Sequence, residues 1–589
     1  MPRSGTARGA ARDIAVLVLL ALGWIGLSLL VANPYHRLLL TLVPIWALLG
    51  VSWNLFSGYS GLVSFGHAAF FGLGAYTVTL ALLRFGLTPW FGIPLGALIG
   101  AVAGAAIGWP SFRLRGNYFA LAMLAWPLML GYLFAWLGYQ EVSIPLHRES
   151  PVWYMQFHDN RSYVVIAVGL LLAASLGSLA VERSRFGLAL AALRQNELAA
   201  EAAGIDTQRC KLLAMTLSAG IAAIAGGLYA VVVLVVTPGS VFGLLVSAQA
   251  MILVLFGGAG TLWGPLIGAV VLVPLGETLQ GALGDVLPGI QGVLYGVAII
   301  AAVLLAPEGI FWKLHDWRRP VPQAAPTRPP LRPPPPAPAR VPPGAVVLEV
   351  VGLSKAFGGV AAVHEVTFTV RQHEIVGLIG PNGAGKTTLF NLLNGITAPG
   401  AGRIRFAGQD IAGRAPNRLA RLGIGRTFQV VRAFPRLSVL ENVVVGAFAR
   451  HAGSTDAWAA ATRAVAQVGL HDRTATAALH LTNRELRLME LARALAAGPR
   501  LLLLDEPLAG LGSEDTEDLI AVVRTLPAAG VTVAIIEHTM PAMLGLVDRF
   551  IVLDHGRKLT EGAPADVMRA PEVIAAYLGP KWVTGDAAT

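Results

Sequence analysis

Apolar residues fill the first half of the chain in long unbroken runs instead of alternating with polar ones. From Ile14 to Phe311 the runs begin near Ile14, Leu38, Ser64, Phe91, Tyr118, Ser162, Leu212, Ser247, Leu262 and Pro288. Each is close to the roughly 20 residues that a helix needs to cross a hydrocarbon core. The pattern predicts an all-α polytopic membrane domain of about eight to ten helices, least sharply divided between Ser247 and Gly281. A second pattern starts after Gly344, where the β-branched segments VVLEVVGL, TFTVR, EIVGLIG, LLLLDEP and VTVAIIEH alternate with helical stretches. That alternation predicts an α/β domain with a largely parallel sheet. Between the two runs PVPQAAPTRPPLRPPPPAPARVPP, whose prolines fix φ and remove backbone donors, so it reads as a stiff, solvated linker. The expected division is a transmembrane domain over 1–312, a linker over 313–344 and the α/β domain over 345–589.

Composition supports the membrane reading, with 55% hydrophobic and 13% charged residues against about 25% charged in soluble proteins. The net charge of +10 does not point to nucleic acid, because Arg183, Arg185, Arg194, Arg318 and Arg319 flank apolar runs as cytoplasmic basic residues do. By the same rule Arg3, Arg8 and Arg12 place the N-terminus inside, as they do Arg113, Arg115 and the loop Arg183 to Lys211. If the α/β half lies on that side too, the number of crossings is even. The segment Gln140 to Arg161, with Trp153 and Tyr154, falls outside. No small-residue cleavage site follows the run Ile14 to Ala32, which reads as a retained span. The single Cys210 excludes an internal disulfide and a zinc site built on cysteine pairs.

Gly380-Pro381-Asn382-Gly383-Ala384-Gly385-Lys386-Thr387-Thr388 follows an expected strand, Glu374 to Ile379, and opens an expected helix, Thr388 to Leu393. This is GxxxxGK[ST] in the context that the motif requires. Its glycines let backbone N–H groups cradle the phosphates of ATP at a helix N-terminus, Lys386 reaches the β and γ oxygens, and Thr387 ligates Mg2+. Downstream, the buried strand Leu501 to Leu504 ends in Asp505-Glu506-Pro507. Asp505 is the expected second magnesium ligand, and Glu506 the group that orients or deprotonates the attacking water.

With these motifs in place, residues 346–580 resemble the ATP-binding subunit of ABC transporters, most closely that of branched-chain amino acid importers. The segment GIGRTFQVVRAFPRLSVLENVVVGA from Gly423 and the tail EGAPADVMRAPEVIAAYLG carry the likeness. The resemblance implies that Gln429 links magnesium and the attacking water to the membrane domain. It implies too that His538, in AIIEHTM, contacts the γ-phosphate and that Phe357 stacks on adenine. One departure matters. Where the family signature reads LSGGQ or LSYGQ, this chain has Leu481-Thr482-Asn483-Arg484-Glu485, then MELARALA. Arg484 replaces a glycine whose missing Cβ permits close backbone approach to a nucleotide on the partner subunit. The expected outcome is one impaired site, closed by this signature, and one competent site built on Lys386 and Glu506. In LAGLGSED, Gly512 stands where the family often has Asp or Asn, which bears on communication between the two sites.

GYSGLVSFGHAAFFGLGAY from Gly58, RLRGNYFALAML from Arg113 and FGGAGTLWGPLIGA from Phe256 resemble the permease subunits of the same transporters, over most of residues 38–310. Gly66, Ala68, Ala69, Gly72 and Gly74 allow close helix approach. His67 is the one ionisable group in that span; it reads as either a structural, hydrogen-bonded histidine or a functional one, the structural reading being favoured. The amphipathic loop from Val181, with Glu197, Glu201 and a break at Gly204, resembles the coupling loop by which importer permeases dock on their ATPase; a membrane-surface helix is the alternative. From Leu212 to Trp312 the only charges are Glu277, Asp285 and Glu308, which favours a pathway for a small, mostly apolar solute. The resemblance therefore implies a multi-pass protein of the cytoplasmic (inner) membrane, its ATPase domain in the cytoplasm, coupling hydrolysis of ATP to import of branched-chain amino acids or related solutes. Expected partners are a homologous second permease and second ATPase, or a second copy in a homodimer, and an extracytoplasmic solute-binding protein. An ABC exporter half-transporter is a competing reading, but its six long spans with extended cytoplasmic helices are not seen. A nucleotide-gated membrane sensor without transport is the other.

Overall fold

The computed structural model describes residues 7–114, 116–147, 149–283, 285–287, 289–305, 309–311 and 344–578. The proline-rich linker lies outside the described residues, as do Arg3, Arg115, Glu308, Trp312, Arg318, Arg319 and the end of the chain from Gly579. The chain forms two compact units. Described residues of the first are 7–194 and 208–311, and of the second 195–207 and 344–578.

The first unit is helical: α1 Ala7–Leu30, α2 Pro34–Trp53, α3 His67–Phe85, α4 Pro89–Ser111, α5 Asn117–Trp136, α6 Arg161–Arg183 and α7 Arg185–Gln195 come before the break at residue 195. After a short α8, Glu197–Ala202, which belongs to the second unit, come α9 Thr207–Val233, α10 Pro238–Phe242, α11 Leu244–Gly257, α12 Gly264–Leu283 and α13 Ile290–Leu305. Among the described residues nine spans are long and apolar enough to cross a membrane, the α10–α11 pair counting as one. The tenth expected run appears as α13, whose 16 residues fall short of that length. Several limits differ from the sequence expectation, the first run from Ile14 lying in a helix that starts at Ala7. The helix expected from Leu212 starts at Thr207, because helical hydrogen bonding continues through the polar turn holding Arg209 and Lys211. The run expected from Ser247 begins earlier, at Pro238, where Thr237 and Ser240 form a capping box, and it breaks at Gly243. The segment between α5 and α6 carries a two-residue strand, β1 Val142–Ser143, antiparallel to β2 Val235–Val236.

Packing in this unit relies on small residues, as expected where lipid removes the hydrophobic drive between helices. A Cβ on Gly74 would stand 2.0 Å from the carbonyl oxygen of Ala223, and one on Gly226 1.9 Å from that of Phe71, so α3 and α9 meet backbone to backbone. Beside this seam the Trp46 ring stacks on Phe71 with centroids 5.6 Å apart. His67 is fully buried and satisfied. Ser218 Oγ donates to Ser52 O at 2.6 Å, so it accepts from His67 Nε2 at 2.8 Å, leaving Nδ1 to accept from Ser64 Oγ at 3.2 Å. That tautomer follows from the hydrogen-bond inventory and makes His67 a neutral strut between α3 and α9.

The second unit is α/β. Its six-stranded sheet has the order β12-β11-β5-β10-β9-β8, formed by β5 Ile375–Ile379, β8 Ile424–Arg426, β9 Leu501–Asp505, β10 Thr532–Ile536, β11 Arg549–Asp554 and β12 Arg557–Gly562. All neighbours are parallel except β11 with β12. The central strands β5, β9 and β10 are buried on both faces, which is why they read as continuous Leu, Ile and Val runs. The segments VVLEVVGL and TFTVR, expected to join a parallel sheet, instead lie in β3 Val346–Phe357 and β4 Val360–Arg371. With β6 Ala401–Phe406 and β7 Gln409–Asp410 these build a separate antiparallel sheet. Their alternating burial marks a sheet with one wet face.

Candidate functional site

Parallel strands place their C-terminal ends at one edge, and loops leaving that edge carry the candidate chemistry. The strand β5 ends at Ile379 and runs into the glycine-rich loop. Its helix starts at Lys386, two residues earlier than expected, because Gly385, at φ 93°, turns the chain directly into the first helical residue. A Cβ on Gly385 would stand 2.2 Å from the carbonyl oxygen of Ala362, so glycine is required there on space as well as on φ. Lys386 is buried and its Nζ donates to Gly380 O at 2.7 Å and to Pro381 O at 2.9 Å, so the ammonium is folded over its own loop. Burial pushes its pKa down, while the charges of Glu506 and Asp505 pull it up. Thr387 is exposed at the same turn.

The end of β9 supplies the acids. Asp505 is buried with Arg426, on β8, at 3.0 Å, both side chains being only 2% exposed. Arg426 also donates to Asn391 Oδ1 at 2.8 Å, tying the phosphate-loop helix to β8. Burial pushes the Asp505 carboxyl up, and the guanidinium opposes it. The other oxygen, Oδ1, is buried with no hydrogen-bond partner. An anionic oxygen left bare costs free energy unless something positive meets it, and an orphaned carboxylate oxygen suits a magnesium ion carried in on phosphates.

Glu506 follows with φ 46°, a left-handed conformation that a non-glycine residue adopts only when its surroundings impose it. Its amide donates to Ile536 O at 2.9 Å, which pins the turn to the end of β10. The carboxylate is then held from both sides. Gln429 Nε2 donates to Oε2 at 2.8 Å, and His538 Nε2 lies 2.8 Å from Oε1. Residues far apart in sequence, Gln429, Glu506 and His538, thus converge on one carboxylate. Phe357 does not join them. It ends β3, is 50% exposed and has the Lys355 ammonium 5.5 Å from its ring centroid.

Sequence reading missed what holds Gln429 in place. The helix Asn483–Leu495 sends Arg487 to the carbonyls of Phe428 at 3.0 Å, Gln429 at 2.8 Å and Ala509 at 3.2 Å. From the same helix Glu490, buried at 1% exposure and paired with Arg493 at 3.2 Å, accepts from the amides of Phe428 and Arg432. The only sequence signal was charge among apolar residues, Arg487 just before MELARALA and Glu490 and Arg493 within it.

The signature segment is structured more restrictively than the Arg484 substitution alone implies. Arg484 turns away, its Nε 2.9 Å from Asp518. Thr482 and Glu485 close a capping box: Glu485 N donates to Thr482 Oγ1 at 3.3 Å, while Thr482 N and Oγ1 reach Glu485 Oε2 at 2.8 and 3.1 Å. Arg473 holds the other carboxylate oxygen at 3.0 Å. The Thr482 hydroxyl is therefore engaged, and a fixed carboxylate occupies the positive end of the helix dipole. Asn483 Nδ2 donates to Gly510 O at 3.2 Å, and Gly512, the N-cap of Ser513–Thr525, supplies no side-chain cap.

Residues 195–207 pack within this same unit. Asn196 caps α8 and accepts from Arg432 at 3.5 Å, Gln195 Oε1 accepts from Arg436 N at 2.8 Å, and Gly204 O accepts from Arg421 at 3.3 Å. Ala199, Ala200 and Ala202 are buried, and Gly204 sits over Ala449 and Ala420. Glu201 accepts from Thr207 Oγ1 at 2.7 Å, bracing the turn, and Glu197 lies in the first turn of α8.

Comparison with known proteins accounts for both units. Residues 37–303 match the family model described as the permease component of the branched-chain amino acid transport system, and residues 363–509 match the ABC transporter model. The high-affinity branched-chain amino acid transport ATP-binding protein BraF of Pseudomonas aeruginosa is 38% identical over 250 residues, covering 40% of this chain and 98% of that protein. LivG of Escherichia coli, of the same description, is 38% identical over 250 residues with the same coverage. A crystal structure of a nucleotide-free ATP-binding cassette from an ABC transporter is 28% identical over 39% of this chain and 98% of that one, with a TM-score of 0.37. The chain belongs to the branched-chain amino acid ABC transporter family, carrying that family's permease component and its ATP-binding component in one polypeptide.

Proposed function

We propose that this chain couples ATP hydrolysis at Lys386 and Glu506 to the import of branched-chain amino acids across the cytoplasmic (inner) membrane, with its ATPase unit on the cytoplasmic side. The observation that carries the reading is the Glu506 carboxylate clamped between Gln429 and His538, in the same compact unit as residues 195–207. Lys386 would exchange its loop carbonyls for phosphate oxygens. Glu506 orients a water and takes its proton as the water oxygen bonds to the γ-phosphorus and the bond to the β-γ bridging oxygen breaks. Thr387, Asp505 and Gln429 would hold Mg2+, which when bound neutralises charge on the phosphates. Phe357, half-exposed at the end of β3, would stack on adenine. Gln429 shares its loop with Arg432 and Arg436, which hold Asn196 and Gln195, so a nucleotide-driven shift of that loop moves the coupling segment Glu197 to Gly204.

A closed sandwich needs a second ATPase. The self-capped signature makes a homodimer a poor hydrolase, so the reading includes a second, homologous ATPase with an open signature, a second permease and an extracytoplasmic solute-binding protein. Uptake of labelled leucine, isoleucine and valine by vesicles holding the complete transporter and its binding protein tests this; ATP-dependent efflux from the same vesicles would support the exporter instead.

Two expected outcomes arise here. Gly204→Ala puts a Cβ 2.6 Å from that of Ala449 at φ 93°, where an L side chain costs about 1–2 kcal/mol before any clash. Uptake should fall by about five- to thirtyfold, and by more than ATP hydrolysis does, when both are measured on the same vesicles. Restoring the signature with Arg484→Gly and Glu485→Gln keeps a capping box, since Gln serves there as well as Glu, but removes the fixed negative charge. Phosphate release per transporter should rise, and a doubly substituted chain with the original rate would show that the self-cap is not what limits that site.

A further inference from the structure

The mechanism leaves one membrane carboxylate unused. Glu277 lies well inside Gly264–Leu283, as Asp13 lies inside Ala7–Leu30, but Asp13 is paired with Arg183. Ionisable groups at such depth are expensive and mark solute pathways by default. Glu277 has no cationic partner among the described residues. Its side chain accepts one hydrogen bond, from Gln291 Nε2 to Oε1 at 3.1 Å. The same Nε2 lies 3.5 Å from Tyr295 Oη, which accepts from Gln249 Nε2 at 2.7 Å.

The string Glu277, Gln291, Tyr295, Gln249 joins α12, α13 and α11, and it leaves a carboxylate oxygen and two amide oxygens over. Glu277 Oε2 and the side-chain oxygens of Gln291 and Gln249 receive no hydrogen bond from any described residue. The cluster is built rather than incidental. A Cβ on Gly276 would stand 3.2 Å from Tyr295 Oη and 3.3 Å from Gln291 Cγ, so glycine lets α12 close on α13 at this level. Tyr35 Oη donates to the Glu277 backbone carbonyl at 3.0 Å and fixes α2 to the same turn. Glu277 itself remains partly exposed. Tyr35 and Arg37 open α2, and Arg37 lies 3.6 Å from Asp159 of the segment assigned above to the outside. On that orientation the cluster stands towards the outer mouth, where solute arrives.

We infer that Glu277 receives the α-ammonium group of the transported amino acid, with Gln291 orienting the carboxylate. The inference rests on the proposed substrate class. An ammonium brings three N–H donors and one positive charge, which matches an uncompensated carboxylate beside amide oxygens that receive no hydrogen bond. The apolar faces of the surrounding helices suit an aliphatic side chain.

The test is the concentration dependence of leucine uptake by vesicles holding the complete transporter, comparing Glu277→Gln, Glu277→Asp and Gln291→Leu with the unaltered chain. Glu277→Gln keeps an acceptor for Gln291 and removes only charge, so it should raise KM about tenfold or more with a smaller change in kcat. Glu277→Asp should recover part of that loss, and Gln291→Leu should raise KM by less. If the polar string only fastens helices, Glu277→Gln and Gln291→Leu lower thermal stability alike and leave KM unmoved, which overturns the inference while the importer reading stands. Should Glu277→Gln fail to assemble, a Glu277→Asp KM equal to that of the unaltered chain overturns it equally. Uptake by the unaltered chain of ammonium-free solutes alone would sink both.

Discussion

Glu506→Gln is expected to lower ATP hydrolysis by about 10²- to 10⁴-fold, the usual contribution of a positioned general base. Glutamine preserves size and can still meet Gln429 and His538, the two groups 2.8 Å from the carboxylate. What it cannot do is accept a proton from water. Nucleotide binding should survive, since Lys386 and the phosphate loop are untouched, so the variant should hold ATP and stall. Phosphate release from purified protein in vesicles, alongside retention of labelled ATP, measures both halves of the expectation. Hydrolysis near the original rate, with no other ATPase present, would remove Glu506 from its role and revive the reading of the chain as a nucleotide-gated sensor.

Arg426→Met should destabilise the protein by about 3–5 kcal/mol, the range for breaking a buried ion pair from one side. The pair is nearly sealed from water, and Asp505 already carries one oxygen with no partner. Without the guanidinium, neither oxygen would have one. Thermal unfolding of the full chain should show the loss, and a second variant makes the cause testable. Arg426→Met combined with Asp505→Leu removes both charges and should recover most of the deficit, because a buried pair replaced by apolar groups costs little. A double variant as unstable as the single one would assign the effect to lost packing against Phe428, whose ring lies 5.2 Å from the guanidinium.

Much of this protein is legible without coordinates. Apolar runs announce helices because a span needs its own backbone satisfied and its own surface greasy, conditions set within some 20 residues. The loop from Gly380 to Thr388 and the pair Asp505-Glu506 are equally local, since glycine conformations and the end of a buried strand are properties of adjacent residues. Other features depend on partners far along the chain. Gln429 and His538 were assigned by likeness, and their shared hold on Glu506 exists only because β8, β9 and β10 lie side by side. Arg487 and Glu490 carry no local sign of their role, and only packing turns them into the anchor of the Gln429 loop. The signature looked altered because of Arg484, yet the folded chain disposes of that side chain on Asp518 and puts the obstructing charge on Glu485.

The sequence by itself determined the two kinds of architecture, the phosphate loop and its acids, because each is written in neighbouring residues. Only the tertiary structure decided that residues 195–207, flanked in sequence by membrane helices, belong with the ATPase unit. Asn196 and Arg432 are 236 positions apart, and no local pattern carries a contact over that distance. Only the fold decided, too, which oxygen of Asp505 is bare and which atoms of Glu277 remain unpartnered. Hydrogen-bond satisfaction is a sum over everything that surrounds a group, and that sum exists only once the chain is packed.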